Sequence, residues 1–226
     1  MYYKEWRVVR IKVGILMILY GVFAFYVISV LVLIRNVFSE SGSRGYILEA
    51  WVGASFLITV LGGLLGGGDS ISGELRENTL SFLLTRPLSR KQIYSTKILA
   101  NIAGLGIAYG SCTVIVLIVD IVVNAGQLPP ISNFTALLTQ FTLGMLITCV
   151  SSLVSVFSSN PIITLLLSIV ANLLLFPLYY LVGFLINLVE PESLKILGKA
   201  ISPLLLVGFS YLFYRLGLFF FQRKEF

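Results

Sequence analysis

Asp69-Ser-Ile-Ser-Gly-Glu-Leu-Arg-Glu-Asn-Thr-Leu-Ser-Phe-Leu-Leu-Thr-Arg-Pro-Leu-Ser-Arg-Lys-Gln92 is the one long polar stretch of this chain. An apolar run stands on either side of it, so residues 69–92 read as a loop between two membrane helices. The composition agrees: of 226 residues 58% are hydrophobic and 12% charged, and the mean hydropathy is +0.98. Soluble domains carry about 25% charge. The chain is therefore an integral membrane protein, and its residues leave no room for a separate soluble domain. A charged loop in such a chain points to contact with something outside the membrane.

A hydrocarbon core about 30 Å thick needs roughly 20 apolar residues in helix. Six spans meet that need, over residues 13–34, 50–67, 98–124, 134–157, 162–188 and 201–221. The expected fold is all-α, a single polytopic domain covering residues 1–226. Gly66, Gly67 and Gly68 are expected to end the second span. Met1 to Lys12 alternates Tyr2, Tyr3, Trp6 and Val8 with Lys4, Arg7, Arg10 and Lys12, a pattern for an interfacial helix. Gln127 to Pro130 and Ser159 to Pro161 read as turns, and Glu190 to Lys195 as the start of the last outer loop. Lysine and arginine gather at Lys4 to Lys12, Arg76 to Lys97, and Arg223 and Lys224. The positive-inside rule then places both termini and the 69–92 loop in the cytoplasm.

The net charge of +6 follows this topology rather than forming a nucleic-acid surface. The chain contains no histidine, which excludes imidazole-based metal or haem sites and the commonest general base. Cys112 and Cys149 are far apart in apolar runs and read as small buried residues. No residues are picked out as metal ligands.

Within the loop, Asn78 can cap a short helix in which Leu80, Leu83 and Leu84 form one apolar face. Pro87 stops it, and Ser89-Arg-Lys-Gln92 has the spacing of a capping box that starts the next helix. The leucines could rest on the bilayer, or they could dock a cytoplasmic partner. Glu74-Leu-Arg76-Glu77-Asn78-Thr79-Leu80, then Leu83-Leu84-Thr85-Arg86-Pro87, Ser89-Arg90 and Lys97, resemble the first cytoplasmic loop of type-2 (exporter) ABC transporter permeases. The tail Phe219 to Phe226 resembles that family's basic end. Asn78 departs from the usual glycine but tolerates a positive φ well.

The resemblance implies a six-span permease subunit working with a second permease, identical or different, and with separate ABC ATPase subunits. It makes the short helix a coupling helix and assigns ATPase coupling to Glu74, Arg76, Glu77, Thr79, Leu80, Leu83, Leu84, Arg86, Pro87, Ser89 and Arg90. The chain lacks G-x-x-x-x-G-K-[ST], so ATP and Mg are expected on the partner ATPase and no cofactor on this chain.

Inside the membrane, Thr148, Ser151, Ser152 and Ser155 share one helix face and could line a translocation path or let helices pack closely. Gly62 with Gly66, Gly63 with Gly67, and Gly106 with Gly110 are G-x-x-x-G pairs for close helix contacts, including a dimer seam. Asp120 and Arg215 are intramembrane charges read as structural anchors. Pro177 is expected to bend the fifth helix.

The expected function is ATP-driven export, across the plasma membrane, of a hydrophobic or amphipathic cargo, with membrane lipids as neighbours and no nucleic acid. The alternative is a membrane subunit with the same loop serving assembly or immunity and moving no small molecule. An intramembrane enzyme is disfavoured because acids, bases and metal ligands do not cluster at one depth.

Overall fold

The computed structural model describes residues 2–37, 46–76, 89–124, 128–188 and 192–224. Its helices are α1 (Tyr2–Val37), α2 (Tyr46–Arg76), α3 (Arg90–Val123), α4 (Ile131–Phe157), α5 (Pro161–Leu188) and α6 (Glu192–Arg223). Among the described residues there is no strand. Five helices are long and apolar enough to cross a membrane, and the described side chains of α5 add a shorter apolar stretch, Pro161–Leu175. The protein is an all-helical, multi-pass membrane protein.

Several helices outrun the apolar spans. The N-terminal segment is helical from Tyr2 and runs without a break into the first span; nothing between Tyr2 and Val13 is a proline or glycine that would interrupt it. Glu192 to Ala200, read as part of an outer loop, forms the first turns of α6. The largest correction is at Gly66 to Gly68. They do not end the second helix, which continues to Arg76, so Asp69 to Arg76 are helix rather than loop. None of the three glycines takes a left-handed φ, the conformation a glycine stop requires. Gly67 serves a close crossing of α2 and α4 instead.

That crossing organises the bundle. α4 is the central helix, with 67% of its span buried against 17% for α1, and it packs mainly on α2 and α6. A Cβ on Gly67 would collide with the Thr148 carbonyl oxygen and lie 2.6 Å from Ser151 Cβ. A Cβ on Gly63 would lie 2.9 Å from Ile147 Cγ2, and one on Gly144 2.7 Å from Thr59 Cγ2. Small residues let the two backbones meet, which drives helix association where lipid is as apolar as leucine.

Burial is accordingly inverted relative to a soluble bundle. Phe25, Tyr26, Leu57, Val122 and Leu174 face outward, while Ser55, Thr59, Ser72, Thr148, Ser151, Ser152 and Ser155 are buried. Ser55, Thr59, Ser72, Thr148 and Ser155 satisfy their hydroxyls on their own helices, Ser55 on the Trp51 carbonyl (2.6 Å) and Thr148 on that of Gly144 (2.8 Å) among them. Pro177 lies inside α5, where it removes one backbone donor.

Candidate functional site

The helix ends on either side of the polar loop meet in one apolar cluster. Ile71 and Leu75 from the last turns of α2 meet Ile93, Tyr94 and Ile98 from the first turns of α3. Cys149 and Val156 of α4 and Leu218 and Phe221 of α6 complete the cluster. Tyr94 is its hub, with ring centroids 5.8 Å from Tyr214 and 5.5 Å from Phe221. The ends of the two helices that the loop joins thus share one cluster with α4 and α6.

Polar contacts lock the same end. Ser89 and Gln92 form the expected capping box: the Ser89 hydroxyl accepts from the Gln92 N–H (3.2 Å), and the Gln92 side chain accepts from the Ser89 N–H (3.0 Å). The Arg90 guanidinium donates to the carbonyls of Gln222 (3.0 Å) and Lys224 (2.6 Å). Those carbonyls end α6, where a cation is favoured by the unsatisfied acceptors and the helix dipole. Lys224 in turn donates to the Val156 carbonyl at the end of α4. Desolvation draws the Lys224 ammonium below its ordinary pKa.

Arg90 thus holds this chain together. Arg90→Ala is expected to cost roughly 1.5–3 kcal/mol, the usual value of hydrogen bonds to a charged group. Thermal unfolding in detergent and faster amide exchange over residues 219–224 check it.

Above this end, α3 holds α2 by its backbone. Lys97, almost fully buried, donates to the Ser70 carbonyl (3.1 Å), and Asn101 donates to that of Gly66 (2.7 Å). Donors and acceptors are each four residues apart, so one face of α3 clasps two successive turns of α2. On the opposite side the Ser70 hydroxyl meets that of Ser155 (3.2 Å) and donates to the Gly67 carbonyl (2.6 Å). Asn172 of α5 donates to Ser151 (3.4 Å). In this chain Thr148, Ser151, Ser152 and Ser155 are buried against neighbouring helices.

A second buried network lies further along. Gln140 donates to Ser55 (2.9 Å) and Thr59 (3.3 Å) and accepts from Tyr109 (3.3 Å), and Tyr20 bonds Thr59 (2.8 Å). Sequence reasoning did not single out these residues. The signal was there in Gln140, the one amide among residues 134–157.

The remaining candidates are spread out. A Cβ on Gly62 would lie 3.0 Å from Leu105 and 3.1 Å from Leu16, one on Gly66 3.6 Å from Asn101, and one on Gly106 3.3 Å from the Phe141 ring. Around Gly110 nothing lies within 4 Å. Asp120 is buried and accepts from the Asn124 amide (3.2 Å). Arg215 is exposed, near the Tyr211 ring of its own helix. Glu74 and Arg76 lie in the last turn of α2, and their side chains fall outside the described residues. So do Glu77, Thr79, Leu80, Leu83, Leu84, Arg86 and Pro87, the body of the expected coupling helix.

In this multi-pass helical protein the helix ends that flank the charged loop pack together with α4 and α6. The family model described as ABC-2 family transporter protein matches residues 10–206. This chain belongs to that family, and as an ABC transporter membrane subunit its partner is an ABC ATPase. Among curated proteins none matches the chain.

Proposed function

We propose that this chain is the permease subunit of an ATP-driven exporter in the plasma membrane. Residues 77–88 dock on the ATPase, and the helix ends beside them carry the motion inward. The observation that supports this most is the Ile71–Tyr94–Phe221 cluster, which joins both loop ends to α4 and α6. ATP and Mg bind the ATPase, while the permease chain supplies the path. A second permease, identical or different, completes the transporter, with both termini and the clasped end in the cytoplasm. The export cargo is hydrophobic or amphipathic.

The experiment is efflux from vesicles holding the chain and its ABC ATPase. ATP is expected to drive loss of an amphipathic fluorophore, and Leu83→Asp to abolish that loss. ATP hydrolysis stimulated by the permease, without movement of any compound, would instead support a role in assembly or immunity.

A further inference from the structure

Between α1, α2, α3 and α5 lies a cleft of about 430 Å³, inside the usual range of about 300–1,000 Å³ for small-molecule sites. Its body is apolar, with Ile15, Leu16, Leu61, Leu65 and Leu165 among its walls. Gly62, Gly66 and Gly68 leave room along α2. Ile15, Leu61 and Leu65 are also exposed on the bundle surface, so the cleft opens sideways towards lipid. Its charged side chains are Lys12 and Asp69, paired at 3.0 Å and part-exposed, at 29% and 49%. They stand at the end of the bundle that carries the loop.

We propose that this cleft binds a single-chain portion of a zwitterionic amphiphile of the phosphoethanolamine class, its phosphate on Lys12 and its ammonium on Asp69. The apolar body gives no preference over the bilayer, because acyl chains are as well solvated in lipid as between leucines. Selectivity therefore sits in the headgroup. A part-exposed ion pair contributes little by itself and opens at low cost. An ammonium donates hydrogen bonds to the Asp69 carboxylate, which a choline headgroup cannot do. A purely anionic headgroup would satisfy Lys12 but set its charge against Asp69. The inference deepens the export reading by naming a class of cargo, and rests on that reading for the transport step alone.

The test equilibrates the purified full chain in bilayers of equal phosphatidylethanolamine, phosphatidylcholine and phosphatidylglycerol with identical acyl chains. Lipid retained after mild extraction is then weighed by mass spectrometry. Phosphatidylethanolamine is expected to be enriched roughly fivefold, the worth of one part-exposed charge pair. Leu65→Trp, which fills the cleft, lowers retention of all three. Asp69→Asn removes the preference over phosphatidylglycerol. Ile15→Trp fills the cleft from α1 and serves if Leu65→Trp does not fold. Equal retention of the three lipids, or unchanged phosphatidylethanolamine retention in the folded variants, would overturn the site. With the ATPase added, ATP-dependent movement of an acyl-labelled phosphoethanolamine lipid between leaflets marks it as cargo. Retention without movement keeps the site as a structural lipid position and counts against export of this class; movement without selective retention removes the site and keeps export.

Discussion

Leu83→Asp abolishes association with the ATPase, or leaves hydrolysis running without transport, while the helical bundle stays folded. Leu80, Leu83 and Leu84 fall on one face of a helical reading of the loop. Apolar anchors at the centre of an interface carry most of its energy, and a lost anchor costs at least about 2 kcal/mol, some thirtyfold in affinity. Placing a carboxylate there adds the cost of desolvating an unpaired charge. Glu77→Ala, at the rim, changes association rate and salt dependence more than affinity. The bundle is spared because its helices are held by contacts among the described residues: the Tyr94 cluster, the Arg90 clasp and the Gly67 crossing. Pull-down with the ATPase, beside thermal unfolding of the permease alone, separates the two effects.

Gly67→Leu is expected to separate α2 from α4 and cost more than about 3 kcal/mol, above the usual range for overpacking. Its first added carbon already meets the Thr148 carbonyl and Ser151 Cβ, and backbone cannot move aside as a flexible side chain does. The crossing also positions Ser70, whose carbonyl receives Lys97 and whose hydroxyl meets Ser155. Loss of the crossing therefore loosens the grip of α3 on α2. Gly110→Leu is the control: nothing lies within 4 Å of its Cβ position, so the isolated chain changes by no more than about 0.5 kcal/mol. A lost oligomer in that variant would place Gly110 at a seam between permease subunits. Thermal midpoints in detergent and size by light scattering measure both variants.

The six-helix architecture was legible in the sequence because a bilayer sets a minimum apolar length that each span either meets or misses. The start of α3 was legible too, since a capping box is a local arrangement of four residues. Gly66 to Gly68 misled because a glycine that ends a helix and one that admits a neighbour look alike in sequence. The difference lies in where Thr148 and Ser151 stand, some eighty residues away along the chain. Lys97 and Arg90 were read as part of a loop motif for the same reason. Their acceptors, the carbonyls of Ser70, Gln222 and Lys224, are backbone atoms on other helices and carry no side-chain signature. Gln140 bonds Ser55, Thr59 and Tyr109 on α2 and α3, and Tyr20 of α1 joins through Thr59; nothing local in the sequence marks these residues as partners. The cleft beside Lys12 and Asp69 exists only once α1 and α2 are laid together.

The central claim is that the loop of residues 77–88 is the part of this chain that touches the ATPase. A photoreactive amino acid placed at Leu83, with a second protein carrying it at Leu128 beyond the other end of α3, tests that claim in membranes containing the ATPase. The account predicts an ATPase adduct from position 83 and none from position 128. An adduct from Leu128, or none from Leu83 in a complex that still hydrolyses ATP, would contradict it.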